Sequence, residues 1–422
     1  MIDESMLDAP DALARADLRG LLRALAGAGA RVRVAARAVE ESDLHRLSPQ
    51  GRPGTVLVAG PTPAGPLLAR TLTALVDPAV RVHRVEPVGP LADPGALRWP
   101  LPEWVGTLDL LLILGPEGSE PGLGDLFERA WRRGCAVAVV APERSSLSGL
   151  AARRNSLRLP LVHPDRQEAA DHPAAPGPAW SAVTPALMLA DRLGLCEAGP
   201  AVQTAVADRL DAVADLCGPG SAQERNPAKT LAGELDGVLP LLWSEGPLAR
   251  AAAGHAADLL AALSGVPALV APLPEALTAH GPLLIAGRHG PGADPEDFFR
   301  DRVDDPQPLM PRIVLLHDTT PPAGGDREAV PGPNGANAPD GTPTPDAGNG
   351  PEPGADPNGA NGAGDPGIPP ALPAARFLAR EHGVPITDFV PGPGDPLPRL
   401  VDLVARLDFT AVYLALTPTG RS

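Results

Sequence analysis

The feature of this sequence that most constrains its fold is the alternation of short apolar runs with helix-compatible stretches. In the first half, apolar runs lie at residues 55–59, 80–85, 108–114 and 135–140, and helical patterns lie at 66–75 and 123–133. Short continuous apolar strands that alternate with helices are typical of a parallel sheet that is covered on both faces. The first half therefore predicts an α/β domain.

The same alternation begins again in the second half. It is preceded by an Ala/Leu-rich helical pattern at 182–193 and a further helical stretch to residue 216. Strand candidates then lie at 238–243, 269–271, 283–286, 312–316 and 384–390, and a long helix is predicted at 247–263. The two halves indicate a weak duplication of one architecture, in which ligands bind at the carboxyl ends of parallel strands.

Changes in composition suggest the domain boundaries. We expect a helical N-terminal segment at 1–45, a first α/β domain at 46–200, a helical linker at 201–225 and a second α/β domain at 226–422. Residues 321–370 interrupt the second domain, and their only large apolar side chains are Val330 and Ile368. Such a segment buries too little surface to fold, so we predict a disordered insertion.

Charge and composition exclude several classes of function. The net charge of -16 and the 3% aromatic content disfavour nucleic acid and anionic membranes as partners. No apolar run is long enough to span a bilayer, and the first ten residues are acidic, unlike a signal peptide, so we expect a cytoplasmic protein. Cys135, Cys196 and Cys217 form no CxxC or CxxH pair. We therefore expect buried thiols, with no metal and no cofactor.

A glycine loop follows the first strand candidate. Gly60, Thr62 and Gly65 lie in it, at the spacing of a phosphate-binding turn. Pro66 and Leu67 stand where a nucleotide-hydrolysing P-loop needs Lys and Ser/Thr, which argues against nucleotide hydrolysis. The loop predicts either contact with a phosphate or sugar, or a simple strand-to-helix turn.

A second loop, at residues 115–120, follows the strand candidate at 108–114. Its Gly118 and Ser119 are placed where backbone N–H groups and a hydroxyl can bind a phosphate at a helix start. Glu117 and Glu120 would repel that phosphate, so an N-capped surface helix is the competing interpretation.

A better anion candidate follows the strand candidate at 135–140. Arg144, Ser145 and Ser146 supply one guanidinium and two hydroxyls there.

Three further residues are weak catalytic candidates. Glu275 and His280 could form an acid/base pair, although a lone Glu near a helix start is more often a partner of the helix dipole. Lys229 is the only lysine among 35 basic residues, which favours either a special role or chance survival.

Short motifs in a fixed order carry a resemblance to a known family. They include Asn226-Pro-Ala-Lys229, Leu273-Pro-Glu275 and the run DFTAVYLAL that begins at Asp408. In order and spacing the chain resembles proteins with two SIS (sugar isomerase) domains, specifically the bifunctional phosphoglucose/phosphomannose isomerases. The resemblance implies two three-layer αβα domains with parallel sheets, a sugar phosphate as ligand, and a homodimer.

The sequence departs from this family at the catalytic positions. The family's glutamate, the general base, and the residue after it fall on Ala262 and Leu263, and its histidine falls on Thr278, with His280 two residues further on. Thr278 is kept as a ligand-binding candidate. We interpret the chain as a protein that binds a sugar phosphate without efficient catalysis. The alternatives are an active aldose-ketose isomerase that uses Glu275 or His280 with Lys229, and a structural or regulatory partner of a sugar-phosphate enzyme.

Overall fold

The computed structural model describes residues 4–49, 51–61, 63–89, 96–162, 174–286, 310–318 and 371–417. Thr62 and the insertion expected at 321–370 lie outside these residues.

Within the described residues, the first sheet has five parallel strands in the order β2-β1-β3-β4-β5. They are β1 (Thr55–Ala59), β2 (Arg81–Arg84), β3 (Asp109–Leu114), β4 (Ala136–Ala141) and β5 (Leu157–Pro160). The four strands predicted in this half are confirmed. The sequence pattern does not predict β5, because this strand has only four residues and includes a charged Arg158 and a terminal proline.

The second sheet, in the part of the chain that the structure describes, has four parallel strands in the order β7-β6-β8-β9. They are β6 (Val238–Glu245), β7 (Leu269–Pro272), β8 (Met310–His317) and β9 (Ile386–Phe389). This order repeats the first four positions of the first sheet. The duplication of one parallel α/β architecture is therefore confirmed, while the domain boundaries themselves stay predictions.

Helices cover both faces of each sheet. In the first half they are α1 (Glu4–Leu7), α2 (Pro10–Ala16), α3 (Leu21–Ala26), α4 (Ala28–Glu40), α5 (Ala64–Leu75), α6 (Pro121–Arg132), α7 (Ser146–Arg153), α8 (Trp180–Arg192) and α9 (Pro200–Cys217). In the second half they are α10 (Pro227–Leu235), α11 (Pro247–Leu259), α12 (Glu275–Ala279), α13 (Gly281–Ala286), α14 (Ala371–Glu381) and α15 (Pro396–Leu416). A π-helical turn, Leu260–Ser264, extends α11.

Two local expectations are wrong. Residues 283–286, predicted as a strand, belong to helix α13, because a run of four apolar residues has no period that separates strand from helix. The spacing of Leu18, Leu21, Leu22 and Leu25 predicts one apolar helix face within the segment 1–45, but Leu18 is 91% exposed in the turn between α2 and α3. There the carboxylate of Asp17 accepts hydrogen bonds from the N–H groups of Leu21 (2.7 Å) and Leu22 (2.8 Å) and begins α3.

One hydrophobic core joins the two halves. It lies between the sheets and includes buried residues of α5 and α8 from the first half and of α11 and α15 from the second. Helices α5 and α11 pack directly on each other, and Arg70 of α5 forms a 2.7 Å ion pair with Asp258 of α11. A separate core lies on the outer face of each sheet. No helix within the described ranges is long and apolar enough to cross a membrane.

Candidate functional site

The carboxyl ends of β1 and β3 form the switch point of the first sheet. These strands are neighbours, yet the chain leaves β1 for α5 on the inner face and leaves β3 for α6 on the outer face. Such a divergence opens a crevice at the sheet edge, where ligands of open α/β proteins bind. The loops predicted from the sequence all lie along this edge.

The glycines after β1 are required by close packing. A Cβ atom added to Gly60 would lie 2.8 Å from the Cβ of Leu114 in β3, and one added to Gly65 would collide with the carbonyl oxygen of Gly60. Both residues are buried. Packing therefore explains both glycines, and their contact with a ligand remains a prediction.

The structure brings Gly118 and Ser145 together, as two of the predicted ligand-binding residues. Gly118 has a φ of 68°, in the left-handed region that favours glycine, and an added Cβ would overlap the side chain of Ser145. The N–H of Leu147 also donates to the carbonyl oxygen of Gly118 over 2.9 Å. The loop after β3 and the start of α7 therefore form one continuous surface.

The start of α7 is ordered by its serines. Ser145 Oγ accepts a hydrogen bond from the N–H of Ser148 at 3.3 Å, and Ser148 Oγ donates to the carbonyl oxygen of Pro142 at 2.9 Å. Ser119, Arg144 and Ser146 are exposed beside this cap. The arrangement presents hydroxyls and one guanidinium at the positive end of a helix dipole, a combination suited to an anion.

Glu120 lies in the loop after β3 and faces back into it. Its Oε1 accepts a hydrogen bond from the N–H of Glu117 over 3.0 Å. Its Oε2 is buried and has no hydrogen-bond partner among the described residues. A carboxylate of the chain itself therefore accepts a hydrogen bond from one backbone N–H of this loop.

The switch point of the second sheet lies between the ends of β6 and β8. Directly after β8, Asp318 forms a buried ion pair of 3.2 Å with Arg399 of α15. Its second oxygen accepts a 3.4 Å hydrogen bond from the N–H of Leu248 at the start of α11. This pair was not predicted from the sequence, although Asp318 stands directly after the apolar run at 312–316, at the carboxyl end of a predicted strand.

A cavity of about 690 Å³ adjoins this second switch point, between the two halves. Four carboxylates are among the residues that line it: Asp191, Glu197, Asp318 and Asp395. Their charge disfavours a phosphate in this cavity.

Glu275 and His280 lie at opposite ends of α12. Glu275 is the exposed first residue of the helix, and His280 is buried just after its last residue. His280 Nδ1 accepts a hydrogen bond of 2.9 Å from Trp243 Nε1, and burial lowers the pKa of the imidazole. No hydrogen bond joins Glu275 to His280, so the expected acid/base pair is not assembled. Thr278 is exposed between them.

Lys229 is buried in a polar network after α9. Its Nζ donates to the carbonyl oxygens of Pro219 (2.9 Å) and Ser221 (2.7 Å), and burial lowers its pKa. Tyr413 Oη donates to the carbonyl oxygen of Cys217 over 2.7 Å, and Asn226 Nδ2 donates to that of Gly218 over 3.1 Å. Three residues of the family-like motifs thus hold the segment between α9 and α10, which gives the lone lysine a structural explanation.

The three cysteines are free thiols with raised pKa values; Cys135 and Cys217 are buried as expected, whereas Cys196 is half-buried. Burial raises the pKa of Cys135 and of Cys196 to about 12, and that of Cys217 to about 11. Because the thiolate is the reactive form, these cysteines are poor nucleophiles at neutral pH. Over the ranges that the structure describes, no cluster of three His, Cys, Asp or Glu residues could hold a metal ion.

Residues 224–296 match the family of the bacterial phospho-glucose isomerase C-terminal SIS domain. This match confirms the resemblance to SIS proteins that the sequence motifs indicated. The second half of the chain is therefore similar in sequence to an SIS domain, and both halves have the parallel α/β arrangement. No curated protein matches the sequence significantly.

Solved structures share the fold over nearly the whole chain. A hypothetical protein from Thermus thermophilus is 14% identical, with a TM-score of 0.55, over 98% of this chain and 89% of that one. A candidate phosphosugar isomerase from Clostridium difficile 630 is 8% identical, with a TM-score of 0.52, over 94% of this chain and 92% of that one. At these identities the similarity shows the fold alone.

Proposed function

We propose that the protein binds a sugar phosphate at the carboxyl edge of its first sheet and does not isomerise it efficiently. The observation that carries this proposal is the joined surface of Gly118 and the start of α7, where Arg144 and Ser146 are exposed beside the Ser145 cap. The phosphate group binds at this helix start, and the sugar lies along the edge towards Gly60.

The choice of the first sheet rests on charge. At the second switch point, Asp318 already occupies the start of α11, and carboxylates line the adjoining cavity. At the first, the guanidinium of Arg144 makes no ion pair with any described residue and is available to a ligand.

The proposed lack of catalysis rests on the residues at the family's catalytic positions. Ala262 and Leu263 lie in the π-helical turn after α11 and carry no ionisable group. His280 and Glu275, the substitutes considered from the sequence, are separated by the length of α12. Loss of a general base typically costs about 10² to 10⁴ in rate.

Thermal shift with hexose 6-phosphates tests the binding. Ligands that bind only the native state raise the melting temperature, so glucose 6-phosphate or fructose 6-phosphate should do so, and the free sugars should do so far less. Arg144→Gln should weaken binding about 10- to 100-fold, because it removes one charge-assisted hydrogen bond. Arg153→Gln, an exposed arginine at the other end of α7, is the matched control.

Equal weakening of binding in the two arginine variants would contradict the proposed site.

A coupled assay for interconversion of the two hexose 6-phosphates tests the proposed lack of efficient isomerisation. Rapid turnover by the wild-type protein would support the active isomerase instead. The homodimer and the cytoplasmic location expected from the sequence remain predictions.

A further inference from the structure

We propose that a groove at the amino edge of the first sheet, where β1, β2 and β3 begin, binds a neutral saccharide. The groove has a volume of about 610 Å³, and Thr55, Arg81, Trp104 and Asp109 are among the residues that line it. It lies at the opposite end of the strands from the proposed sugar-phosphate site. It is therefore a second site, additional to the proposed function.

Three polar side chains form a row across the strands at this edge. In the sheet register, Thr55 of β1 pairs with Arg81 of β2 on one side and with Asp109 of β3 on the other. Paired residues of parallel strands point to the same face, and here it is the outer face, because the side chains two and four residues further along β1 and β3 belong to the outer core. A guanidinium, a hydroxyl and a carboxylate therefore stand side by side on strands about 4.8 Å apart.

The fold leaves hydrogen-bonding capacity on all three groups. Thr55 is 5% exposed, and its hydroxyl forms no hydrogen bond with any described residue. Asp109 Oδ2 accepts a hydrogen bond from the N–H of Gly106 over 2.8 Å, which leaves Oδ1 available. The guanidinium of Arg81 is exposed and makes no ion pair in the described part of the chain. Because buried polar groups require partners, a buried hydroxyl that lines a groove points to a partner bound in that groove.

An indole ring forms one wall of the groove. Trp104 is 55% exposed, and its ring packs at 82° against the imidazole of His83, with ring centroids 5.5 Å apart. Three of the five tryptophans are buried in the cores, and Trp131 is covered by the guanidinium of Arg154, 4.1 Å from its ring centroid. Trp104 is therefore the indole that the protein presents to a ligand.

The row of polar groups selects hydroxyls. A guanidinium only donates hydrogen bonds and a carboxylate only accepts them, whereas a sugar hydroxyl does both and satisfies either neighbour. A phosphate would be attracted by Arg81 but repelled by Asp109. The C–H face of a pyranose ring is apolar and packs on an indole, whose face carries the negative part of the ring quadrupole. The indole and the polar row together therefore fit a neutral pyranose.

Saturation-transfer NMR and calorimetric titration with the methyl glycosides of glucose, galactose and mannose test this site. At least one of them should bind with a Kd of about 1 mM, the affinity that a typical ligand efficiency gives for about 13 non-hydrogen atoms. Trp104→Ala and Arg81→Gln should each weaken this binding at least about tenfold, because the first removes the packing surface and the second a charge-assisted hydrogen bond. Both side chains are exposed, so both variants should keep a cooperative melting transition.

Matched controls lie in the same half of the chain. Trp131→Ala removes the indole that Arg154 covers, and Arg158→Gln removes an exposed arginine from β5, the opposite edge strand of the same sheet. Each control should change the Kd of the glycoside by less than about threefold. Arg144→Gln, at the carboxyl edge, should also leave the glycoside affinity unchanged.

Three results would overturn the proposal. The first is that none of the three glycosides binds at about 20 mM, well above the expected Kd. The second is that Trp104→Ala and Arg81→Gln leave the binding unchanged, since the sugar would then lie elsewhere. The third is that adenosine binds and the glycosides do not, because a base that stacks on the indole would then be the ligand. All three are independent of the proposed function, which is decided by hexose 6-phosphates and the Arg144 variant.

Discussion

The two sheets end alike, with a carboxylate of the chain at each switch point, but the two carboxylates are held differently. Glu120 at the first sheet is half-buried, accepts one backbone hydrogen bond and forms no ion pair with a described residue. At the second sheet, the side chain of Asp318 is 2% exposed and forms an ion pair with Arg399, whose side chain is 8% exposed. The same topology therefore yields one sheet edge with a partly solvated, unpaired carboxylate and one sheet edge with a carboxylate buried in an ion pair.

The difference follows from desolvation. Two buried charges have lost their hydration, and each is compensated mainly by the other. Removing either one therefore leaves an uncompensated buried charge. A partly solvated carboxylate keeps some of its hydration, so its removal costs little. This contrast leads us to expect ligand effects at the first edge and stability effects at the second.

The largest effect is expected when the ion pair of the second edge is broken. Arg399→Ala removes the cation that compensates buried Asp318 and should lower the free energy of unfolding by about 3–5 kcal/mol. Arg376→Ala breaks a more exposed pair with Asp388 in the same half and should cost less than about 1 kcal/mol. Urea denaturation measures both, and equal losses would break the contrast between buried and exposed pairs.

A smaller loss is expected at Lys229. Lys229→Met removes the donor to the carbonyl oxygens of Pro219 and Ser221, and buried acceptors without donors cost about 1–3 kcal/mol. Arg225→Met changes an exposed cation nearby and should stay within about 0.5 kcal/mol of the wild type. Weaker sugar-phosphate binding without loss of stability in Lys229→Met would return this lysine to the catalytic candidates.

The smallest effect concerns pH. Because burial lowers the pKa of His280 below its usual 6.5, the unfolded chain binds the proton more tightly than the folded protein does. Stability should therefore fall as pH decreases from about 8 through 6.5 towards the folded pKa. His280→Gln should lose this part of the pH dependence, and His83→Gln, at an exposed position, is the control. An unchanged slope of unfolding free energy against pH in His280→Gln would contradict the prediction.

The sequence predicted the sheets well because each buried strand is a continuous apolar run. The prediction from sequence failed for β5, in which a charged residue interrupts the apolar run. It also failed for α13, because its run of four apolar residues is compatible with a strand or a helix. These failures are local, since the order of the remaining elements already specified the duplicated parallel fold.

The site was less predictable because its geometry depends on contacts between distant residues. Asp318 and Arg399 are 81 residues apart, and no spacing rule joins them. The hydrogen bond from Glu117 to Glu120 depends on how the loop turns at Gly118, so the sequence indicated only that both carboxylates would repel phosphate. Gly60 and Gly65 were predicted from the sequence as residues of a glycine loop. Their close contacts, with Leu114 and within the turn, explain why both positions are glycine.

The packing of α15 has a consequence for how the protein forms during synthesis. This helix contacts α3 and α9 as well as α10 and α11, so residues near 20 and near 400 share one core. Contacts of such long sequence separation form slowly, and domains emerge from the ribosome with the N-terminal part first. The parts of α3 and α9 that pack on α15 therefore lack this partner until α15 has been translated, so the core between the two sheets is completed only after residues up to about 416 have been made.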